Sequence, residues 1–436
     1  MPADSEVLDR MRADWNARAG EDAYYYVAFG RREQGHDEFF STAADVLRLL
    51  IAELKRLQNH EAALEIGCGP GRLMRPLAPY FGKIHGVDVS EEMVRLANQN
   101  LKSTPNAYAH ETSGTDLSLF PTEKFDFVYS YAVFQHIPSR DVVFEYLREA
   151  RRVLRTGGIL RCQINGLPAH SKQYDTWSGV RIAPEEITAF AREYNLQLLA
   201  LEQIWTQYMW ITCRKMADGW TKHLETAADQ IFPLDPAPSI HRISNALTGE
   251  AAAPATGPMA AISIRILNLP PDCDLNHMAI TADDRACRLT YIGDREADGL
   301  SQVNAALPEG IRTGLVKIEV MWLGRPLCPP AWVRIVPAGP AVPRVHSVTD
   351  GINLLSGTRI ASRVVKVTML DVMHPDRFRV AIDGQEITGS ESFCVDPIFQ
   401  HYEYNVMLPE SVTPGPHRVE ISIGKRAFAP VAVEVV

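Results

Sequence analysis

Three alternating glycines (Gly67, Gly69 and Gly71) stand in "ALEIGCGPGRLMRPL", residues 63–77. They follow a short apolar run that carries an acid, Glu65, and they precede a basic, apolar segment of helical character. A Gly-x-Gly-x-Gly loop after a strand lets backbone approach a ligand with no Cβ in the way. Alone, that pattern suits a dinucleotide site, a nucleoside site or a tight packing turn. Three acids narrow it. Glu65 stands just before the first glycine, where a carboxylate favours a cationic ligand and repels a pyrophosphate. Asp88 ends "IHGVDV" about 20 residues on, where an acid can take ribose hydroxyls. Asp116, in "SGTDL", can meet an amino group of adenine. These groups fit a nucleoside carrying a positive charge and an amino acid. A dinucleotide fits less well, because the third glycine of G-x-G-x-x-G would fall at Arg72. Cys68, inside the loop, reads as a small filler.

The elements that must position these residues alternate. "FFSTAADVLRLLIAELKRLQ" (39–58) has helical spacing, "AALEIG" is a strand, and "GRLMRPLAPYF" is a short helix. "KIHGVDVS" is a strand whose Ser90 caps the helix "EEMVRLANQNL". "FDFVYSYAV" is a strand, "RDVVFEYLREARRVL" an amphipathic helix, "TGGILRCQING" a turn and strand, and "PEEITAFAREYN" a helix. Such β-α repetition predicts a parallel sheet covered on both faces. The last two strand-like runs, in 196–215, are too close for a crossover and should pair antiparallel.

Composition is ordinary for a globular chain, and 436 residues are too many for one core. A net charge of -9 argues against nucleic acid as a partner. The N-terminus has no apolar h-region, no stretch is long and apolar enough for a bilayer, and seven scattered cysteines make no C-x-x-C pair. The expectation is a cytoplasmic protein with no membrane partner and no metal. Past residue 217 the texture shifts. Pro, Ala and Gly dominate "DPAPSI" and "GEAAAPATGPMA", which read as linker over 218–259. Short alternating strands follow, with an internal repeat: 304–336 lines up with 405–436, and Leu-Pro-Glu at 307–309 recurs at 408–410. The expected division is 1–217, a linker at 218–259, and two β-sandwich repeats at 260–338 and 339–436. Trp322, Trp332, Phe399 and Tyr402 are candidates for their cores. The repeats are immunoglobulin-like in texture and carry no chemical constellation, so partner binding or homo-oligomerisation is their expected role.

Residues 39–217 resemble a class I S-adenosylmethionine (SAM)-dependent methyltransferase. "LEIGCGPGR", "IHGVDVSEEMVRLA", "SGTDL", "FDFVYSYAVFQHIP" and "EARRVLRTGGIL" carry the resemblance, in the family's order. It implies a seven-stranded, Rossmann-like sheet with an antiparallel last strand, SAM as cofactor and methyl transfer to a small-molecule acceptor. By that resemblance Glu65, Gly67 and Gly69 line the methionine part of SAM, within the loop that also holds Cys68 and Gly71. Asp88 takes the ribose, and Val89 flanks the adenine. Asp116 and Leu117 meet the adenine edge, and Ser130 and Tyr131 close the floor.

In-line methyl transfer mainly needs alignment and exclusion of water, with a base only for an acceptor that must lose a proton. His136, in "VFQHIP", stands at the rim where acceptors enter and reads either as that base or as a packing histidine. Tyr131 is a second candidate there. The aromatic segment 14–40, with Trp15 and Tyr24, Tyr25 and Tyr26, reads either as a lid over the site or as packing. Tyr208 and Trp210 read as core or edge residues. The alternative to an enzyme is a scaffold or adhesion protein that binds SAM without turnover.

Overall fold

Apolar runs bounded by glycine, serine and aspartate become buried strands in a computed structural model. It describes residues 2–28, 32–169, 174–338, 342–352, 357–396 and 400–436, with side chains from residue 6 onward. One unit comprises Met1–Trp15 and Asp45–Ala338, the other Asn16–Ala44 and Gly339–Val436. Three helices come first: α1 (Pro2–Ala28), in which two helical stretches meet at Asp22, α2 (His36–Ser41) and α3 (Ala44–Leu54).

Seven strands of the first unit make an α/β sheet. They are β1 (Ala62–Ile66), β2 (Lys83–Asp88), β3 (Ala107–Glu111), β4 (Phe125–Ser130), β5 (Leu154–Ile164), β6 (Leu196–Glu202) and β7 (Met209–Lys215). Their order is β3-β2-β1-β4-β5-β7-β6. β1 to β5 run parallel, and β7 is antiparallel to both β5 and β6. Short helices alternate with the strands: α4 (Met74–Leu77), α5 (Glu91–Asn100), α6 (Arg140–Val153) and α7 (Pro184–Glu193). Ser90 caps α5 by accepting the Met93 N–H at 3.2 Å. On one sheet face Leu64, Val128, Leu160 and Cys162 share a core with Val143, Leu147 and Ala150 of α6 and Ile187 of α7. On the other face Gly86 makes room for α4: a Cβ there would meet the Met74 sulfur and lie 2.6 Å from the Cys68 Cβ.

The stretch expected as linker is built structure. It holds α8 (Trp220–Thr226), α9 (Ala228–Ile231), β8 (Ser239–Asn245) and β9 (Ala252–Pro254). β8 pairs with β10 (Ala261–Leu267). The remaining strands of this repeat are β11 (Met278–Ala282), β12 (Arg285–Ile292), β13 (Leu300–Ala306), β14 (Gly314–Trp322), β15 (Arg325–Pro326) and β16 (Ala331–Val336), with β9 parallel to β16. The second repeat reproduces the plan. β17 (Arg344–Asp350) pairs with β19 (Val364–Leu370), and β18 (Arg359–Ile360) runs parallel to β26 (Val431–Val435). Asp283 and Asp383 hold equivalent turns, each accepting a backbone N–H at 2.8 Å, from Lys317 and Arg418. The first repeat therefore begins at β8, not at 260. Proline and alanine mark short edge strands here, where a missing N–H or a small side chain costs little. The expected boundary at 338/339 borders residues 339–341, outside the described residues.

In the second unit two sheets, β17-β19-β23 (His401–Met407)-β22 (Ser390–Asp396) and β18-β26-β24 (Gly415–Ile423)-β20 (Phe378–Ile382)-β21 (Gln385–Ile387), enclose one core around Val367, Tyr404 and Val419. Trp322 is buried as expected, and Tyr402 packs partly buried against that core. Trp332 is 60% exposed on β16, so it is not core. Phe399 lies outside the described residues.

The first repeat is bonded to the α/β sheet. Tyr291 of β12 pairs with Ala200 of β6. Asp294 accepts from Arg56 at 3.1 Å and from Arg214 at 2.7 Å, and Gln197 donates to the Cys273 carbonyl at 3.0 Å. Among the described residues no helix is long and apolar enough to cross a membrane.

Candidate active site

In this strand order the chain turns back between β1 and β4, and the crevice past the carboxyl ends of those strands is where open α/β sheets bind ligands. The three glycines open that crevice. Gly67, Gly69 and Gly71 have φ of +72°, +50° and +84°, a region L side chains enter at a cost. Gly67 is also sterically locked, since its Cβ would lie 2.6 Å from Val133 Cγ1 and 3.0 Å from Val133 Cβ.

Glu65 is 3% exposed, and the Tyr129 hydroxyl donates to its Oε2 at 2.9 Å. Burial pushes this carboxyl up to about 8, and the Tyr129 hydrogen bond and the nearby Arg72 guanidinium only partly offset it. A ligand cation arriving there would favour the ionised form. Asp88 ends β2 half-buried. Its two oxygens accept the Gly69 N–H at 2.9 Å and the Ser90 N–H at 3.0 Å, so the carboxylate braces the glycine turn and still keeps lone pairs for hydroxyl donors. Burial raises its pKa against those donors. Cys68 is buried against Gly86, and burial holds its thiol well above the ordinary range, so it stays protonated.

The residues expected to meet adenine differ in what they offer. Val89 is half-buried beside Gly114. Asp116 accepts the Ser118 hydroxyl at 2.7 Å and N–H at 3.1 Å, and the Ser113 hydroxyl at 3.1 Å; the Ser118 hydroxyl is the main cause of its lowered pKa. Leu117 is fully buried, and its N–H donates to Glu149 at 2.8 Å. Glu149 in turn pairs with Arg152, which also holds the Leu117 and Phe120 carbonyls at 3.0 Å. Leu117 thus contributes apolar surface, while its N–H is already engaged. Ser130 is fully buried and donates to the Ile66 carbonyl at 2.8 Å, tying β4 to β1.

Tyr131, expected near the acceptor, stacks on Trp210, with centroids 5.8 Å apart. Arg72 lies 5.6 Å from the Tyr131 ring, and Arg161 lies 4.5 Å from the Trp210 ring. Arg161 is buried mid-strand, donating to Glu202 at 2.9 Å and Thr212 at 2.7 Å. This cation–aromatic–aromatic–cation row was not anticipated from sequence, where Trp210 read as core or edge. The polar Arg161 and Gln163 interrupting the apolar run "ILRCQI" were the available signal.

His136 is buried at the rim, its Nδ1 3.2 Å from the Trp177 carbonyl. A carbonyl only accepts, so Nδ1 carries the proton and Nε2, 3.3 Å from the Gln135 amide nitrogen, is the basic nitrogen. Trp15 meets the His136 ring edge-on at 5.5 Å. Tyr24, Tyr25 and Tyr26 belong to the second unit, where Tyr24 stacks on Phe39 at 4.1 Å.

The first unit has the strand order of the class I SAM-dependent methyltransferase fold, with a glycine turn, the buried Glu65 and the half-buried Asp88 at the carboxyl ends of its strands. Residues 64–162 match the family described as "Methyltransferase domain". The chain is 31% identical over 137 residues to trans-aconitate 2-methyltransferase of Rhizobium etli, covering 30% of this chain and 50% of that one. It is 28% identical over 133 residues to alpha N-terminal protein methyltransferase 1 of Caenorhabditis elegans, covering 30% and 56%. The chain thus spans about half the length of these relatives. Among solved structures, a phosphoethanolamine N-methyltransferase of Haemonchus contortus is similar at a TM-score of 0.36 and 16% identity, covering 49% of this chain and 50% of that one.

Proposed function

We propose that this chain transfers a methyl group from SAM to a small-molecule acceptor, with the β-sandwich repeats serving partner binding or oligomerisation. One observation carries the reading: a buried carboxyl (Glu65), a ribose-suited carboxylate (Asp88) and a glycine turn meet at the point where the strand order reverses. These groups suit SAM. Glu65 faces its cationic end, Asp88 its ribose, Val89 and Leu117 the adenine faces, and Asp116 the adenine amino group. SAM, when bound, supplies a methyl group on a sulfonium. The protein aligns the acceptor over Tyr131 and Trp210 and keeps water out with buried apolar walls. His136 Nε2 can take a proton from an acceptor that must lose one. The name of the Rhizobium relative supports a small acceptor.

The test is calorimetric titration with S-adenosylhomocysteine (SAH) and NAD, followed by turnover against an acceptor panel with SAM. Saturable SAH binding, no NAD binding and methylation of a small acceptor are expected. No SAH binding would end the reading, and SAH binding without turnover would leave a SAM-binding scaffold.

A further inference from the structure

The sheet face that carries Glu65 also carries a buried cation that methyl-donor binding does not use. The strand register aligns Glu65 with Tyr129, Tyr129 with Arg161, and Arg161 with Thr212, so the four stand in one row across β1, β4, β5 and β7. Residues paired in this way project to the same face. One row nearer the carboxyl end of β5, Gln163 pairs with Trp210. The Gln163 side chain accepts the Ala132 N–H at 3.3 Å, which ties β5 to the segment after β4.

An arginine in the middle of a strand is seldom buried without full pairing, and Arg161 is 3% exposed. Its hydrogen bonds satisfy only part of it. Both use Nη1, which donates to Glu202 at 2.9 Å and to Thr212 at 2.7 Å. Nε is buried with no hydrogen-bond partner, and Nη2 makes no hydrogen bond among the described residues. Nε and Nη2 share one edge of the planar guanidinium. The edge left over is therefore the fork that grips a planar two-oxygen group through parallel N–H bonds. A buried charged donor without a partner is destabilising, and a ligand that completes the fork removes that cost. Glu202 does not saturate the cation, because its side chain is 37% exposed and water screens the pair.

The guanidinium carbon stands 4.5 Å from the Trp210 ring centroid, and Trp210 also stacks on Tyr131. The fork thus adjoins the aromatic pair that lies under the acceptor in the methyltransferase reading. β5 is two strands from β1, about 10 Å across the sheet, so a small molecule held at Arg161 by one end can reach the Glu65 end of the row with the other.

Resting on the methyltransferase reading, we propose that Arg161 recognises the acceptor: the enzyme takes small acceptors that carry a carboxylate, held by Nε and Nη2 through two parallel hydrogen bonds. The carboxylate is the handle, and the rest of the molecule lies over Tyr131 and Trp210. A neutral amide of the same shape sets an NH2 group against one of the two donors and loses that bond and the charge. A phosphate dianion would press a further negative charge against Glu202.

The experiment uses the full chain loaded with SAH, titrated by calorimetry with benzoate and, as the neutral comparator, benzamide. Saturable benzoate binding is expected, with benzamide at least about tenfold weaker, the size of one charge-assisted hydrogen bond. Arg161→Lys keeps the charge and removes the fork, and should weaken benzoate roughly tenfold, with SAH binding reporting that the fold is intact. Glu202→Gln removes the competing carboxylate and should tighten benzoate severalfold, which a merely structural Arg161–Glu202 pair would not do. Absent benzoate saturation, equal benzamide affinity, or benzoate binding unchanged or weakened in Glu202→Gln would each overturn the proposal. So would wild-type benzoate affinity in an Arg161→Lys chain that binds SAH. Where Arg161→Lys fails to fold, the benzamide and Glu202→Gln arms decide. Failure of the wild type to bind SAH would instead strike the methyltransferase reading.

Discussion

Gly67→Ala separates backbone strain from steric clash at the turn. Gly67 has φ of +72°, so any Cβ meets the left-handed penalty of about 1–2 kcal/mol. The same Cβ runs into Val133, reaching both Cγ atoms and coming within 3.0 Å of its Cβ. Rotating Val133 about χ1 therefore gives no escape. Overpacking of this kind costs about 1–3 kcal/mol, for a total of about 2–5 kcal/mol. Val133→Ala removes both Cγ atoms and leaves the φ penalty in place. In a double-mutant cycle, Gly67→Ala should cost about 1–2 kcal/mol in the Val133→Ala background, and the coupling should be about 1–3 kcal/mol. The assay is urea unfolding, following the transition that SAH moves to higher urea and that therefore reports the unit carrying the site. A neutral Gly67→Ala, or a cost undiminished in the Val133→Ala background, would refute the clash.

Glu65→Gln should change how stability depends on pH. The folded carboxyl is raised to about 8, so the folded chain keeps a proton that the unfolded chain releases, and wild-type stability falls as pH rises through the window from 4.5 to about 8. At ~1.4 kcal/mol per pH unit the loss reaches about 3 kcal/mol by pH 7, and the substitution should flatten it. Unfolding curves between those limits check this, and parallel profiles would contradict it. Asp88→Asn should weaken SAH by ~1–3 kcal/mol, through lost charge-assisted hydrogen bonds to ribose and a looser Gly69 turn, read by calorimetry. Asp294→Ala should destabilise the first unit by about 1–2 kcal/mol, because Arg214 loses its carboxylate and keeps only Gln197, while Arg56 keeps Glu53 and the Ile292 carbonyl; the partial exposure of Asp294 keeps the figure below that of a fully buried pair. An unchanged midpoint in urea would show that the two sheets do not depend on this clasp.

The α/β pattern was readable from sequence because it is local. Apolar runs such as "AALEI" and "FDFVYS" are strands buried on both faces, Ser90 caps α5 through its own neighbours, and the glycine turn is written in adjacent residues. The donor-side cluster was equally accessible, since Glu65, the glycines and Asp88 each sit at a strand end whose position follows from the strand itself. Leu117 is different: that its N–H belongs to Glu149 depends on α6 folding back over the loop, a contact between residues 32 apart in sequence.

Tertiary structure alone decided the rest, wherever the partner is far along the chain. Arg161 and Trp210 meet because β7 inserts antiparallel beside β5, so two residues with no sequence relation share one face. Trp177 reaches His136 across 41 residues through a carbonyl, a group every residue carries and no motif marks. The Pro- and Ala-rich stretch looked like linker because composition reports what a segment could do alone. β8 and β9 are strands only because β10 and β16 offer them an edge. The chain to residue 217 looked complete on the same grounds. Arg56, Gln197 and Arg214 need Asp294 and the 271–273 carbonyls, so a fragment ending at 217 would carry buried polar groups with lost partners and a bare β6 edge. Sequence determined the central α/β elements and the glycine turn, because those rest on nearest-neighbour physics; the edge strands β8 and β9, and which elements share a core, were settled by long-range pairing, which leaves no local trace.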